Sequence, residues 1–314
     1  MKTVIVGAGA MGILMAAKLC RAGRSVWLFE INAERVTQIR EQGITLEDSA
    51  GRWRTDAVRV TSNPAEIGSA DAVFFLVKAF DTAAAVERIL PVVTDHTSVL
   101  TLQNGLGNIE AIQHCISPDQ ILAGTTAHGA LRLADGHVRH TGVGDTVVGA
   151  VDVNSKIHLE KVVDLFRGTD VALTVTKDVD SLLWGKLLIN ISINPLTAIT
   201  GINNGKLPEI PHLVTVVQQV LDEGTRVAGA AGVEIPFATP LDKVLQVCRN
   251  TAANRSSMLQ DVLAGGKTEI DYLNGAVVRA GQQYGVSVPV NRVLVQLVRS
   301  VEQMSGQKDK KRVV

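Results

Sequence analysis

Short β-branched runs alternate with helix-period segments along the first half of the chain, and long helix-period segments fill the second. Residues 1–6 are a β-branched run with the pattern of a buried strand, followed by a glycine-rich turn and a helix-like stretch to Ala22. Residues 25–29 predict a second strand, and 32–42 a helix with Asn32 as its cap. The most apolar short run, residues 72–77, predicts a central parallel strand covered on both faces. Residues 82–90 read as helix, 98–102 as strand and 108–114 as a short helix. Three β-like runs follow, at 121–133, 137–141 and 146–149, then a helix at 154–167 and a strand at 171–175.

The texture changes near Lys177. From there the segments 179–193, 211–231, 240–250, 268–285 and 289–304 are helical, with Pro195, Pro208, Pro211, Pro236, Pro240 and Pro289 marking their ends. The pattern predicts an α/β protein: an N-terminal Rossmann-type doubly wound sheet with some antiparallel additions over residues 1–177, then an all-helical C-terminal domain over 178–314.

Composition narrows the function classes. The 314 residues carry 31 basic and 31 acidic side chains, so the chain as a whole offers no field for nucleic acid or an anionic membrane. Only the carboxyl-terminal group Lys308, Lys310, Lys311 and Arg312 forms a local basic run, which reads as a solvated tail. Three widely spaced cysteines, Cys20, Cys115 and Cys248, do not suit a disulfide scaffold and predict a reducing, cytoplasmic home. The seven histidines show no metal-ligand grouping, so no metal is expected. Lys2 and the apolar stretch to Cys20 could pass for a secretory signal, but four glycines within 23 residues suit a strand, turn and helix better. No apolar stretch long enough to span a membrane lacks a polar break. The apolar helices of the second half could bury a homodimer face or only their own core.

The turn at residues 7–12, Gly7-Ala8-Gly9-Ala10-Met11-Gly12, has the GxGxxG spacing of a dinucleotide site and opens a βαβ unit. Such glycines permit a tight turn, approach of the backbone to a pyrophosphate, and close packing of helix on sheet, while helix-terminal N–H groups receive the anion. Glu30, 18 residues past Gly12, stands near the spacing of a ribose ligand. A carboxylate there can accept both ribose hydroxyls of NAD and would repel a 2′-phosphate. The first basic residue beyond it is Arg35, which could reach a phosphate only by folding back. The expectation is therefore NAD(H), with NADP(H) as the alternative.

Lys186, Asn190 and Asn194 fall at i, i+4 and i+8, on one face of an otherwise apolar helix. A buried ammonium is costly unless it is paired or meets a ligand, although a lysine can also snorkel to water. Pro195 is expected to disturb the helix beyond Asn194 and to free backbone polar groups near that face.

Six segments together resemble the ketopantoate reductase (2-dehydropantoate 2-reductase) family: residues 7–12, Val77-Lys78, residues 103–108 (Gln-Asn-Gly-Leu-Gly-Asn), 184–197, 256–261 (Ser-Ser-Met-Leu-Gln-Asp) and 268–275 (Thr-Glu-Ile-Asp-Tyr-Leu-Asn-Gly). The resemblance implies reduction of ketopantoate to pantoate with NAD(P)H. It implies Lys186 as the lysine that protonates the carbonyl oxygen, Glu269 as an active-site glutamate, and Asn190, Asn194 and Ser257 as substrate contacts. Lys78 and Asn104 then stand at the junction of cofactor and substrate. Other readings of single residues remain open: a helix-dipole role for Glu269 in a capping box from Thr268 to Asp271, an ordinary helix serine at 257, a solvated loop lysine at 78 and a turn residue at Asn104. Members that use NADPH carry an arginine just after the second strand, where this chain has Glu30-Ile31-Asn32. The sequence thereby also resembles relatives that reduce branched or aromatic 2-oxo acids with NADH, in the manner of a D-mandelate dehydrogenase. A non-catalytic dinucleotide sensor is the alternative from another class; it has no need of a proton donor.

Overall fold

The computed structural model describes residues 1–310, with side chains through Ser305, so the basic group Lys308, Lys310, Lys311 and Arg312 lies outside the described side chains. Residue contacts divide the chain into two compact units, one of residues 1–103 and 108–179, the other of Asn104–Gly107 and the chain from Asp180 onward.

The first unit contains β1 (Lys2–Val6), α1 (Ala10–Arg21), β2 (Ser25–Phe29), α2 (Ala33–Gln42), β3 (Ile44–Asp48), β4 (Gly51–Thr55), β5 (Arg59–Thr61), β6 (Ala72–Phe75), α3 (Thr82–Ile89), β7 (Ser98–Thr101), α4 (Asn108–Gln113), β8 (Ile121–Thr126), β9 (Gly129–Ala134), β10 (His137–Gly142), β11 (Thr146–Ala150), α5 (Lys156–Phe166) and β12 (Leu173–Thr176). Eight strands form one sheet in the order β12-β11-β8-β7-β6-β1-β2-β5, parallel throughout except where β11 runs against β8. The apolar run at residues 72–77 does supply a central strand. Successive side chains of a strand point to opposite faces, so Phe74 stacks on Phe166 of α5 at 5.8 Å between ring centroids, while Phe75 packs with Val86 and Ile89 of α3. Each such side chain contributes about 1.5–3 kcal/mol by leaving water.

One expectation about strands needs correction, and three strands are additional to those expected. The run at residues 121–133 is two strands in different sheets: β8 joins the large sheet, whereas β9 joins a separate four-stranded sheet of order β4-β3-β10-β9. Strands β3, β4 and β5 have no counterpart in the sequence reading. Charges interrupt their apolar alternation, and pairing offsets them across strands: Glu47 of β3 stands opposite Arg52 of β4 and binds Arg139 of β10 at 2.8 Å.

The second unit is helical: α6 (Val179–Thr200), α7 (Pro211–Ala230), α8 (Pro240–Asn250), α9 (Ser257–Leu263), α10 (Asn274–Tyr284) and α11 (Pro289–Lys310). Leu187, Leu188 and Ile191 of α6 pack in one core with Val217 and Leu221 of α7, Val244 of α8, Val277 of α10 and Val298 of α11. Pro211, Pro240 and Pro289 occupy first helical positions, where the missing N–H has no helical partner to lose. By length and composition α6 could cross a membrane, but 72% of its apolar window is buried inside the protein.

Pro195 does not end α6, contrary to expectation; the helix runs on to Thr200. Proline cannot donate to the carbonyl four residues back, that of Ile191. Asn274 replaces the donor: its Nδ2 donates to Ile191 O at 3.1 Å and to Asn291 Oδ1 at 3.0 Å. Asn291 Nδ2 in turn donates to Glu223 Oε2 at 2.8 Å, and the Glu223 carboxylate accepts the Val290 and Asn291 N–H groups at the start of α11. All three side chains are buried. The helix expected over 268–285 is also shorter than read: residues 268–273 are a turn, and α10 begins only at Asn274. The two-turn helix α9 was not anticipated, because seven residues carry too little periodicity.

Candidate active site

In the first unit, Gly7 leaves β1 at φ +103°, donates its N–H to Phe29 O at 2.9 Å, and lies against Val77. A Cβ on Gly12 would collide with the Gly7 carbonyl, so these two glycines fix how tightly α1 turns back on β1. A Cβ on Gly9 would stand in open space. No side chain caps α1, and its first turn holds no acidic residue. These features fit a pyrophosphate held by the N–H groups of Ala10, Met11 and Gly12.

Glu30 follows β2 and is buried, at 6% exposure. Its carboxylate is already engaged: Oε2 accepts from Ala8 N at 3.1 Å and from Arg35 Nη1 at 2.9 Å, and Oε1 accepts from Asn32 N at 2.9 Å. A carboxylate has about four acceptor sites, so one remains. Protein donors thus already fill most of the acceptor sites that the two ribose hydroxyls expected from the sequence would need. Arg35 does fold back, but onto protein: its Nε donates to Asp135 Oδ1 at 2.9 Å. Burial alone would lower its pKa; the bonds to Glu30 and Asp135 outweigh that and raise it. The sequence hid this pairing, since Asp135 lies 100 residues away in the β9–β10 turn.

Lys78 lies just past the carboxyl end of β6, next in sequence to Val77, which touches Gly7. Gln103 braces this edge: its Nε2 donates to Val77 O at 2.9 Å and to Thr82 Oγ1 at 2.8 Å, and its Oε1 accepts from Thr101 Oγ1. Ligands of open α/β sheets sit at such carboxyl ends.

In the second unit, Lys186, Asn190 and Asn194 occupy one face of α6, with both asparagines buried and Lys186 half-buried. Burial pushes the Lys186 ammonium below the usual lysine range. Asn190 Nδ2 donates to Asn104 Oδ1 at 3.3 Å. The loop carrying Asn104 is docked by Leu106 N, which donates to Tyr272 O at 3.0 Å. Tyr272 belongs to the turn of Glu269, whose carbonyl accepts from Tyr272 N and Leu273 N. Glu302 of α11 holds the same turn, accepting from Thr268 N at 2.7 Å. Glu269 is buried and five residues ahead of α10; Thr268 Oγ1 accepts from Ile270 N, so the capping box from Thr268 to Asp271 is not formed. Ser257 is exposed at the start of α9, which Ser256 caps and Thr197 of α6 ties down through a 2.7 Å bond to Ser256 Oγ. The structure thus assembles Lys186, Asn190, Asn194, Asn104 and the Glu269 turn in one unit. Among the described residues, no group of three His, Cys, Asp or Glu is placed to hold a metal ion.

Two family models cover this arrangement: "Ketopantoate reductase PanE/ApbA" over residues 3–153 and "Ketopantoate reductase PanE/ApbA C terminal" over residues 178–302. The chain belongs to the ketopantoate reductase family. A 2-dehydropantoate 2-reductase of Halobacterium salinarum is 37% identical over 299 residues, covering 95% of this chain and 98% of the relative. A ketopantoate reductase of this family from Ralstonia eutropha aligns with a TM-score of 0.88 at 32% identity, covering 97% of this chain and 99% of that one. A D-mandelate dehydrogenase solved with NADH and anilino(oxo)acetate aligns with a TM-score of 0.91 at 25% identity and the same coverage. Membership makes the chain an oxidoreductase acting on a CH–OH group and using a nicotinamide dinucleotide.

Proposed function

We propose that the chain reduces ketopantoate to pantoate, with NADH as the preferred reductant, in the cytoplasm. The observation that carries this reading is Lys186 on the same face of α6 as the buried Asn190 and Asn194, with Asn190 bonded to Asn104 beside the Glu269 turn. Carbonyl reduction takes up one hydride and one proton. The dinucleotide supplies the hydride; the rest is chemistry of this chain. Gly7, Ala8, Gly9, Ala10, Met11 and Gly12 hold the pyrophosphate, with Glu30 at a ribose hydroxyl. Lys186 donates its proton to the carbonyl oxygen, a transfer made easier by the lowered affinity of its ammonium for that proton. Asn104, Asn190 and Asn194 orient the substrate through neutral amides that leave Lys186 its charge, and Glu269 and Ser257 complete the contacts. Lys78, past the carboxyl end of β6, joins the glycine turn in serving the cofactor. The domain of residues 1–177 accordingly serves the cofactor, and that of 178–314 the substrate.

Glu30 is the ground for NADH, because a buried carboxylate repels a 2′-phosphate. Steady-state kinetics with ketopantoate under each cofactor tests both halves of the proposal; a kcat/KM with NADPH equal to or above that with NADH would sink the preference. The likeness to a D-mandelate dehydrogenase solved with NADH favours one second reading, a reductase of another branched or aromatic 2-oxo acid. Benzoylformate or 2-oxoisovalerate turning over with a higher kcat/KM than ketopantoate would select it.

A further inference from the structure

The preference for NADH, on which the following rests, raises the question of why Arg35 does not serve a 2′-phosphate. It is the first cation after β2, and its guanidinium already touches Glu30 at the ribose end of the site. We infer that Asp135, reaching from the β9–β10 turn of the second sheet, sets cofactor specificity by clamping Arg35 onto Glu30.

The geometry is a closed charge array. Arg35 Nη1 lies 2.9 Å from Glu30 Oε2, Arg35 Nε lies 2.9 Å from Asp135 Oδ1, and Arg132 Nη1 lies 3.2 Å from the same Asp135 oxygen. Two carboxylates and two guanidinium groups sum to zero, and Arg35 is held from two sides with a fifth of its side chain exposed. Glu30 is tied further to the glycine turn through Ala8 N, which donates to its Oε2 at 3.1 Å. A 2′-phosphate entering beside Glu30 brings a third negative centre against Arg35, which already faces the carboxylates of Glu30 and Asp135. A ribose carrying a free 2′-hydroxyl needs only one acceptor, which Glu30 still offers. The four-stranded sheet of β3, β4, β9 and β10 thereby has a function in cofactor choice, and it acts through a single turn residue. Asp135 is a positioning residue, because it acts through Arg35.

The test is the dissociation constant of NADPH and of NADH, measured separately by quenching of protein fluorescence with no substrate present. Asp135→Asn suits the site, since Asn before Gly136 keeps the turn chemistry while removing one negative charge and one partner of Arg35. The variant should bind NADPH about tenfold more tightly than the wild type and NADH within about twofold of it, the scale of one charge at near-surface dielectric. In Asp135→Asn combined with Arg35→Ala the gain should vanish. Asp135→Ser takes the place of Asp135→Asn if the latter loses NADH binding altogether. Parallel changes in both constants, an unchanged NADPH constant, or a gain that survives loss of Arg35 would each overturn the clamp. The wild-type ratio of the two constants separately tests the preference itself, so the two ideas fail by different readings.

Discussion

Lys186 is the residue on which chemistry and stability pull in opposite directions. Burial lowers its pKa, and it must carry a proton to donate one. With ketoacid as substrate, kcat/KM should therefore fall as pH rises through a value below the ordinary lysine range; a profile flat to pH 10 would remove Lys186 from the proton step. The sign for stability is reversed. The folded pKa lies below the unfolded one, so the unfolded chain binds more protons between the two values and stability rises with pH across that window. Lys186→Ala should abolish both dependences, lower kcat by about 10²-fold or more, and leave NADH affinity near wild type. Near-wild-type turnover would refute the assignment. Glu269 invites a parallel experiment: Glu269→Ala should impair use of the ketoacid more than binding of NADH, whereas unchanged KM and kcat would reduce it to a turn residue. Its place in a turn ahead of α10 already separates it from the helix dipole suggested by the sequence.

At the scale of elements, the proline in α6 shows how local rules fail for a tertiary reason. Proline argues for a helix end, and the rule is sound for an isolated segment. Here a side chain from 83 residues away supplies the missing donor to Ile191 O, so the helix continues. Asn274→Ala leaves that carbonyl and Asn291 Oδ1 without their donor and should destabilise the protein by roughly 1–3 kcal/mol for each buried group, read from urea unfolding. In a Pro195→Ala background the restored backbone N–H can donate to Ile191 O, so the cost of Asn274→Ala should shrink; equal costs in both backgrounds would break the link. Other elements were legible where one local signal ruled. The buried strands β2 and β6 and the proline-started helices α7, α8 and α11 follow from apolar period and N-terminal proline. Strands β3 and β4 were not legible, because partners such as Arg139 for Glu47 make their charges tolerable only after folding.

At the scale of the whole molecule, the same distinction divides the candidate site. The glycine turn and the lysine–asparagine face of α6 are periodic within one element and could be read from spacing. The Asn104 contact with Asn190, the Arg35 clamp and the Glu302 brace join residues 86, 100 and 34 apart, and no local pattern encodes them. Each compact unit also has its own apolar packing, around Phe74 and around Phe75 on the two faces of the first unit's sheet, and around Leu188 and Val298 in the second unit. The two ligands should therefore leave separate footprints in amide hydrogen exchange, since binding protects the segments that hold the ligand. NADH at about 100 times its Kd stabilises the bound form by ~2.7 kcal/mol. Its protection should centre on the turn at residues 7–12 and on the ends of β2 and β6, in the first unit. Ketopantoate alone should protect α6 around residues 186–194, the loop at 104–107 and the turn at 268–273, in the second. If NADH instead protected the α6 face and left the glycine turn unchanged, the assignment of cofactor to the first unit would be wrong, even with every kinetic prediction for Lys186 intact.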